Sequence, residues 1–129
     1  KLLPLADYVI LSLPYTRETY HMFGQEEFAA MKQTAYFINI ARGGVVDEPA
    51  LIAALKDGRI AGAALDVFET EPLPKKSPLW AMENVIITPH NAGLTPHYMD
   101  RVADIFCANL KAYLENKQMP NLVDKVKGY

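Results

Sequence analysis

The sequence predicts an open α/β fold with a doubly wound parallel sheet. Three observations carry that expectation. Four short stretches, residues 7–13, 35–41, 60–68 and 84–88, are almost continuously apolar, as strands covered on both faces are. Stretches with apolar residues three and four apart lie between them. Turn residues bound each one. Strand and helix in alternation join parallel neighbours through right-handed crossovers.

The first strand, 7–13, runs out at Leu13-Pro14-Tyr15-Thr16. A helix is expected over 26–33, with Phe28 and Met31 on one face and Glu26 and Glu27 at the positive end of its dipole. The second strand, 35–41, leads into Arg42-Gly43-Gly44. Asp47 is a suitable N-cap for a helix over 48–57, Pro49 sits in its first turn, Leu51, Ile52 and Leu55 form its apolar face, and Gly58 stops it. The third strand, 60–68, contains Asp66 and leads to Glu71. Residues 72–78 read as an extended, proline-rich connection against which Trp80 packs. The fourth strand, 84–88, is followed by Pro89-His90-Asn91-Ala92-Gly93. The longest helix is expected over 96–116, where Met99, Val102, Ala103, Phe106, Leu110, Tyr113 and Leu114 make one stripe. His97 falls in its first turn, His21 in a connection, and 117–129 form a tail expected to pack elsewhere.

Composition narrows the function. The 129 residues carry 13 Lys and Arg against 15 Asp and Glu, a net charge of −2, with half the residues hydrophobic. A disordered, collagen-like or nucleic-acid-coating chain is excluded. No apolar run approaches the ~20 residues of a membrane helix. Cys107 is the sole cysteine, so no intrachain disulfide forms, no metal site is expected, and a cytoplasmic setting is the default. The length is that of one domain at most. The first residues carry neither an initiator Met nor a signal-like pattern, so the chain is expected to come from within a longer reading frame.

In open α/β sheets ligands bind beyond the carboxyl ends of the strands, and each run here delivers chemistry to that edge. A carboxylate such as Glu71 at one ring nitrogen would fix the tautomer of His90 and make it a proton donor near neutral pH. Arg42 is suited to grip a carboxylate, with two glycines after it to let a ligand approach; alternatively it caps the following helix or pairs with Asp47 or Glu48. Asp66 is either an acceptor for a ligand amide or a polar strand end bonding a neighbouring loop, since burying it alone is costly. A histidine acid, its carboxylate and an arginine for an anion describe reduction of a keto acid, with hydride from a cofactor.

These residues stand in longer motifs. Leu13-Pro14-Tyr15-Thr16, then residues 37–47 (FINIARGGVVD), 63–74 (AALDVFETEPLP) and 84–90 (NVIITPH), resemble the D-isomer-specific 2-hydroxyacid dehydrogenases across essentially the whole chain. The resemblance implies the second half of a Rossmann-type dinucleotide-binding domain plus a long C-terminal helix, with the tail leading to a substrate domain not contained here. It implies that Arg42 orients the keto acid, that His90 is the acid/base and that Glu71 is its partner. Asp66 would hold the nicotinamide carboxamide of NAD or NADP. Leu13, Pro14, Ile40, Ala41, Asn91, Ala92 and Gly93 would line the cofactor, with Arg42 and His90 beside them. The partner molecules implied are a small 2-keto or 2-hydroxy acid and a second copy in a homodimer, with no nucleic acid or membrane. The family's Gly-x-Gly-x-x-Gly turn does not occur among these 129 residues, so a free-standing chain is expected to expose apolar surface and to bind cofactor poorly.

Two other readings compete. One is a non-catalytic NAD(P)-binding regulatory module of the same fold, distinguished by cofactor binding without turnover. The other is a Ser-His-Glu hydrolase using Ser12 or Ser77, although no Gly-x-Ser-x-Gly elbow surrounds either serine.

Overall fold

The computed structural model describes residues 2–129. The chain divides into two compact units, with the boundary in sequence between Ala92 and Gly93.

The first unit is built on a parallel sheet of β1 (Tyr8–Leu11), β2 (Tyr36–Asn39), β3 (Gly62–Leu65) and β4 (Val85–Ile87), in the order β1-β2-β3-β4. One register row runs Leu11, Asn39, Leu65, Ile87. All the strands therefore end level, and whatever follows each of them emerges on the same edge. The strands are shorter than the apolar runs because burial continues past the hydrogen-bonded ladder: Ala41, Ile60, Val67 and Phe68 are buried in the flanking loops.

Helices α1 (Gln25–Ala30) and α2 (Glu48–Lys56) cover one face. Phe28, Leu51, Ala54 and Leu55 join Leu11, Phe37, Ala63 and Leu65 in a single core. Phe23, Phe28 and Phe37 lie at its centre, with ring centroids 4.9–5.1 Å apart. Helix α1 is shorter than 26–33 because the chain turns extended at Met31, which places that side chain in the core beside Phe28. The Glu27 carboxylate accepts from the Gly24 N–H and closes its first turn. In α2 the Asp47 carboxylate accepts from the Ala50 N–H at 3.0 Å, and Gly58 takes φ +62° just beyond the end, where a side chain is disfavoured.

The opposite face departs from the expectation of strands covered on both sides. Tyr8, Ile10, Tyr36 and Ile86 point outward and are largely exposed, Ile86 at 68%, and Tyr8 stacks on Tyr36 at 5.9 Å. Side chains alternate along a strand, so a run that is apolar throughout supplies two apolar faces, and α1 and α2 cover only one. The proline-rich stretch holds a 3-10 turn over Pro78–Ala81, and the Trp80 indole N–H donates to the Pro74 carbonyl at 3.0 Å.

The second unit holds α3 (Tyr98–Leu114), for which His97 is the N-cap rather than a first-turn residue. No residue of α3 is buried. Its apolar stripe is therefore open. The tail is anchored to the helix by a hydrogen bond from the Asn109 amide to Asn121. It ends in a turn where the Val126 and Lys127 N–H groups donate to Asp124.

Candidate functional site

Each strand of the first unit contributes to the shared edge. Beyond β2, the buried Asn39 shapes the loop: its Oδ1 accepts from the Ala41 N–H at 3.0 Å and its Nδ2 donates to the Arg42 carbonyl at 3.2 Å. The Arg42 guanidinium donates to the Ala41 carbonyl at 2.6 Å and makes no ion pair among the described residues. The reading that Arg42 pairs with Asp47 or Glu48 is not realised, because Asp47 caps α2 and Glu48 bonds the Glu69 N–H instead. Its charge stays available to an anion.

The two glycines after Arg42 serve the protein itself. A Cβ on Gly43 would lie 1.9 Å from the Phe68 carbonyl carbon, and one on Gly44 2.8 Å from the Tyr15 ring. They are crowded by neighbouring chain, not kept open for a ligand. The contact at Gly43 sets the β2 loop directly against the β3 loop.

Beyond β3, the buried Asp66 collects donors from the loop after β4. Its Oδ1 accepts from the Thr88 hydroxyl at 2.5 Å and the Asn91 N–H at 3.0 Å, and its Oδ2 from the Ala92 N–H at 2.9 Å. Asp66 thus bonds a neighbouring loop, as one of its two expected roles requires. Burial pushes its carboxyl up, but these hydrogen bonds and the nearby His90 outweigh that and hold it below its ordinary value. Hydrogen bonds to a charged group are worth about 1.5–3 kcal/mol each. That suffices to hold His90 at φ +51°, a conformation that costs a non-glycine residue on the order of 1–3 kcal/mol.

So held, His90 meets Glu71. His90 Nδ1 lies 2.7 Å from Glu71 Oε2, and Glu71 Oε1 accepts from the Phe68 N–H at 3.0 Å. Burial raises the Glu71 carboxyl. The His90 hydrogen bond, the Phe68 N–H and the positive charges of His90 and Arg42 lower it by more, leaving it below its ordinary value. Arg42, Glu71 and His90, far apart in sequence, thus emerge at one edge of the sheet, where Glu71 and His90 touch. Glu71 and His90 also wall a cavity of about 600 Å³ with Asp66, Thr88, Leu73 and Trp80. His90 bonds no serine among the described residues, and Ser77 accepts from the Leu79 N–H.

Of the other expected site residues, Leu13 packs against the core, the Pro14 carbonyl accepts from the Thr19 hydroxyl, and Ile40 is exposed beside buried Ala41. Asn91 and Ala92 lie on the Asp66 cradle, whereas Gly93 opens the second unit. Sequence reasoning missed Asn39 and Thr88. Each is a polar residue within or ending an apolar run, which was the available signal. The edge suits the nicotinamide end of a dinucleotide. Asp66 Oδ2 has a single partner and retains acceptor capacity, with exposed Ile40 and Pro14 for apolar contact. Among the described residues no group of three or more His, Cys, Asp or Glu is placed to hold a metal.

Residues 1–92 match the family described as D-isomer specific 2-hydroxyacid dehydrogenase, NAD binding domain. A glyoxylate reductase of Korarchaeum cryptofilum is 48% identical over 125 residues, covering 97% of this chain and 38% of that protein. A glyoxylate/hydroxypyruvate reductase B of Escherichia fergusonii is 51% identical over 123 residues, 95% of this chain and 38% of its own length. The chain thus spans well under half the length of these relatives. The crystal structure of a D-isomer specific 2-hydroxyacid dehydrogenase from Xanthobacter autotrophicus Py2, in complex with NADPH and MES, superposes with a TM-score of 0.91 at 45% identity, over 99% of this chain and 54% of that one.

Proposed function

Because the chain belongs to the D-isomer-specific 2-hydroxyacid dehydrogenases, as part of their NAD-binding domain, we propose that it supplies the catalytic edge of an NAD(P)-dependent reductase of small 2-keto acids. The observation that carries this reading is the His90–Glu71 pair at 2.7 Å, with Arg42 beyond the same edge of the sheet and in no ion pair among the described residues. The relatives named for glyoxylate and hydroxypyruvate make those the first substrates to try.

The chemistry follows from where protons sit. Glu71 occupies Nδ1 of His90, so Nε2 is the ring atom left to give a proton to a substrate carbonyl oxygen and to take it back in the reverse direction. Glu71 keeps the ring in that tautomer and offsets its charge. Arg42 holds the substrate carboxylate through its forked donors. Leu13, Pro14, Ile40, Ala41, Asn91 and Ala92 line a bound NAD or NADP, with Asp66 accepting from its carboxamide. When bound, the nicotinamide supplies the hydride that no side chain can. The same reading expects a homodimer acting in the cytoplasm; the lone Cys107 fits a reducing compartment. Among the described residues no helix is long and apolar enough to cross a membrane.

The test is oxidation of NADH or NADPH by the complete enzyme with glyoxylate, hydroxypyruvate or pyruvate. Turnover with at least one is expected. Cofactor binding with no turnover on any 2-keto acid overturns the proposal in favour of a regulatory module.

A further inference from the structure

His21 lies outside the proposed site, yet it touches both loops that build it. Its backbone N–H donates to the Gly44 carbonyl at 2.9 Å, within the loop that carries Arg42. Its Nε2 lies 2.7 Å from Glu69 Oε1, within the loop that carries Glu71. Between these attachments the residue takes φ +48°, a left-handed conformation that a non-glycine residue keeps only where its surroundings demand it. The Tyr20 ring stacks on the imidazole at 4.0 Å. Neighbouring pairing locks the segment in place: Phe23 forms a parallel bridge with Val46, and the Asp47 N–H donates to the Phe23 carbonyl at 3.0 Å.

The far side of the link is equally built. Glu69 and Glu48 exchange bonds, each carboxylate accepting from the other's backbone N–H at 3.2 Å. Glu69 Oε1 therefore receives both the Glu48 N–H and the His21 ring. Burial pushes the Glu48 carboxyl up and the Glu69 charge adds to that, against the Glu69 N–H. The groups facing His21 are thus Glu69, with Glu48 behind it, and the Tyr20 ring. Those facing Glu71 are His90, Arg42 and the Phe68 N–H, with Asp66 beyond His90. Only one residue, Thr70, separates Glu69 from Glu71.

We propose that His21 is a positioning residue of this site: by tying the Arg42 loop to the Glu71 loop through Glu69, it fixes where the Glu71 carboxylate meets His90. The inference rests on the function proposed above. It makes His21, otherwise a surface histidine in a connection, a mechanical part of the acid/base pair.

The test compares wild type with H21G, H21Q and E69A by two readouts. One is the carboxyl ¹³C NMR titration of Glu71, which needs no activity. The other is the pH dependence of kcat and KM for glyoxylate with NADPH in the complete enzyme. Glycine accepts φ +48°, so H21G removes the tie and spares the backbone. Expected is a rise of the Glu71 midpoint by about half a pH unit, threefold in proton affinity, as its partners loosen. A severalfold fall in kcat should accompany it, with the KM for glyoxylate nearly unchanged. H21Q, whose amide can donate to Glu69, should restore both. E69A should repeat the H21G shift, and the double variant should add nothing further. If H21G does not fold, E69A decides by the same readouts. An unmoved Glu71 midpoint in a folded variant overturns the proposal, as does failure of H21Q to restore it. Absence of turnover in the wild type defeats the dehydrogenase reading, while the Glu71 titration still decides for or against the tie.

Discussion

In the proposed function His90 and Arg42 use charge differently, and substitution separates them. A proton donor acts in the transition state, so His90→Ala should lower kcat of the complete enzyme by about 10²–10⁴-fold and leave the dissociation constant for NADPH nearly unchanged by fluorescence titration. Arg42→Ala removes a charged hydrogen bond worth about 1.5–3 kcal/mol, so the keto-acid KM should rise by about 10- to 100-fold in steady-state assays. Equal, small effects from both would refute the assigned roles. Glu71 gives a pH signature. Its carboxyl in the folded protein lies below the ordinary value of 4.5, so the stability it contributes is fully present above 4.5 and is lost as pH falls through the lower, folded value. Urea midpoints of wild type and Glu71→Gln should therefore differ by a constant amount near neutrality and converge in acid. A difference that grows on acidification contradicts the pairing. The types of Arg42, Glu71 and His90, and their places just past apolar runs, were legible in the sequence. That Arg42 avoids Asp47 and Glu48, and that Asp66 is taken up by Thr88, Asn91 and Ala92, were not, since spacing says which groups are near but not which of several acceptors a donor chooses.

At the scale of elements, helix ends and loop contacts position the site. Asp47→Ala removes the cap of α2 and should cost about 1 kcal/mol, read as a lower urea midpoint with an unchanged m-value. Gly43→Ala is far more severe. A methyl 1.9 Å from the Phe68 carbonyl must push the β2 and β3 loops apart, so activity should fall together with melting temperature, whereas Asp47→Ala should lower stability alone. Retention of full activity by Gly43→Ala would show that the contact of these loops is not needed. The existence and type of the strands, of α2 and of α3 were readable from apolar spacing and caps. Their ends were not: the strands stop where the ladder stops rather than where burial stops, and α1 stops where Met31 turns into the core.

At the scale of the whole chain, one face of the sheet and the stripe of α3 carry exposed apolar side chains. Tyr8, Ile10, Tyr36 and Ile86 form a contiguous apolar area on the sheet, larger than isolated surface residues would make. The chain should therefore bind a hydrophobic dye such as ANS, and Ile10→Lys with Ile86→Lys should reduce that fluorescence without changing the far-UV CD spectrum. Undiminished dye binding would place the accessible surface elsewhere. By itself the sequence determined the class of fold, the parallel sense of the sheet implied by alternation, and the kinds of groups delivered to one edge, because apolar periodicity, helix caps and short polar motifs are local properties of the chain. Only the tertiary structure decided which of those groups meet, why Gly43 must be glycine, which sheet face is covered, and that His21 joins two loops. Those outcomes depend on contacts between residues tens of positions apart, where the packing of one backbone against another selects among partners that the linear order leaves equal.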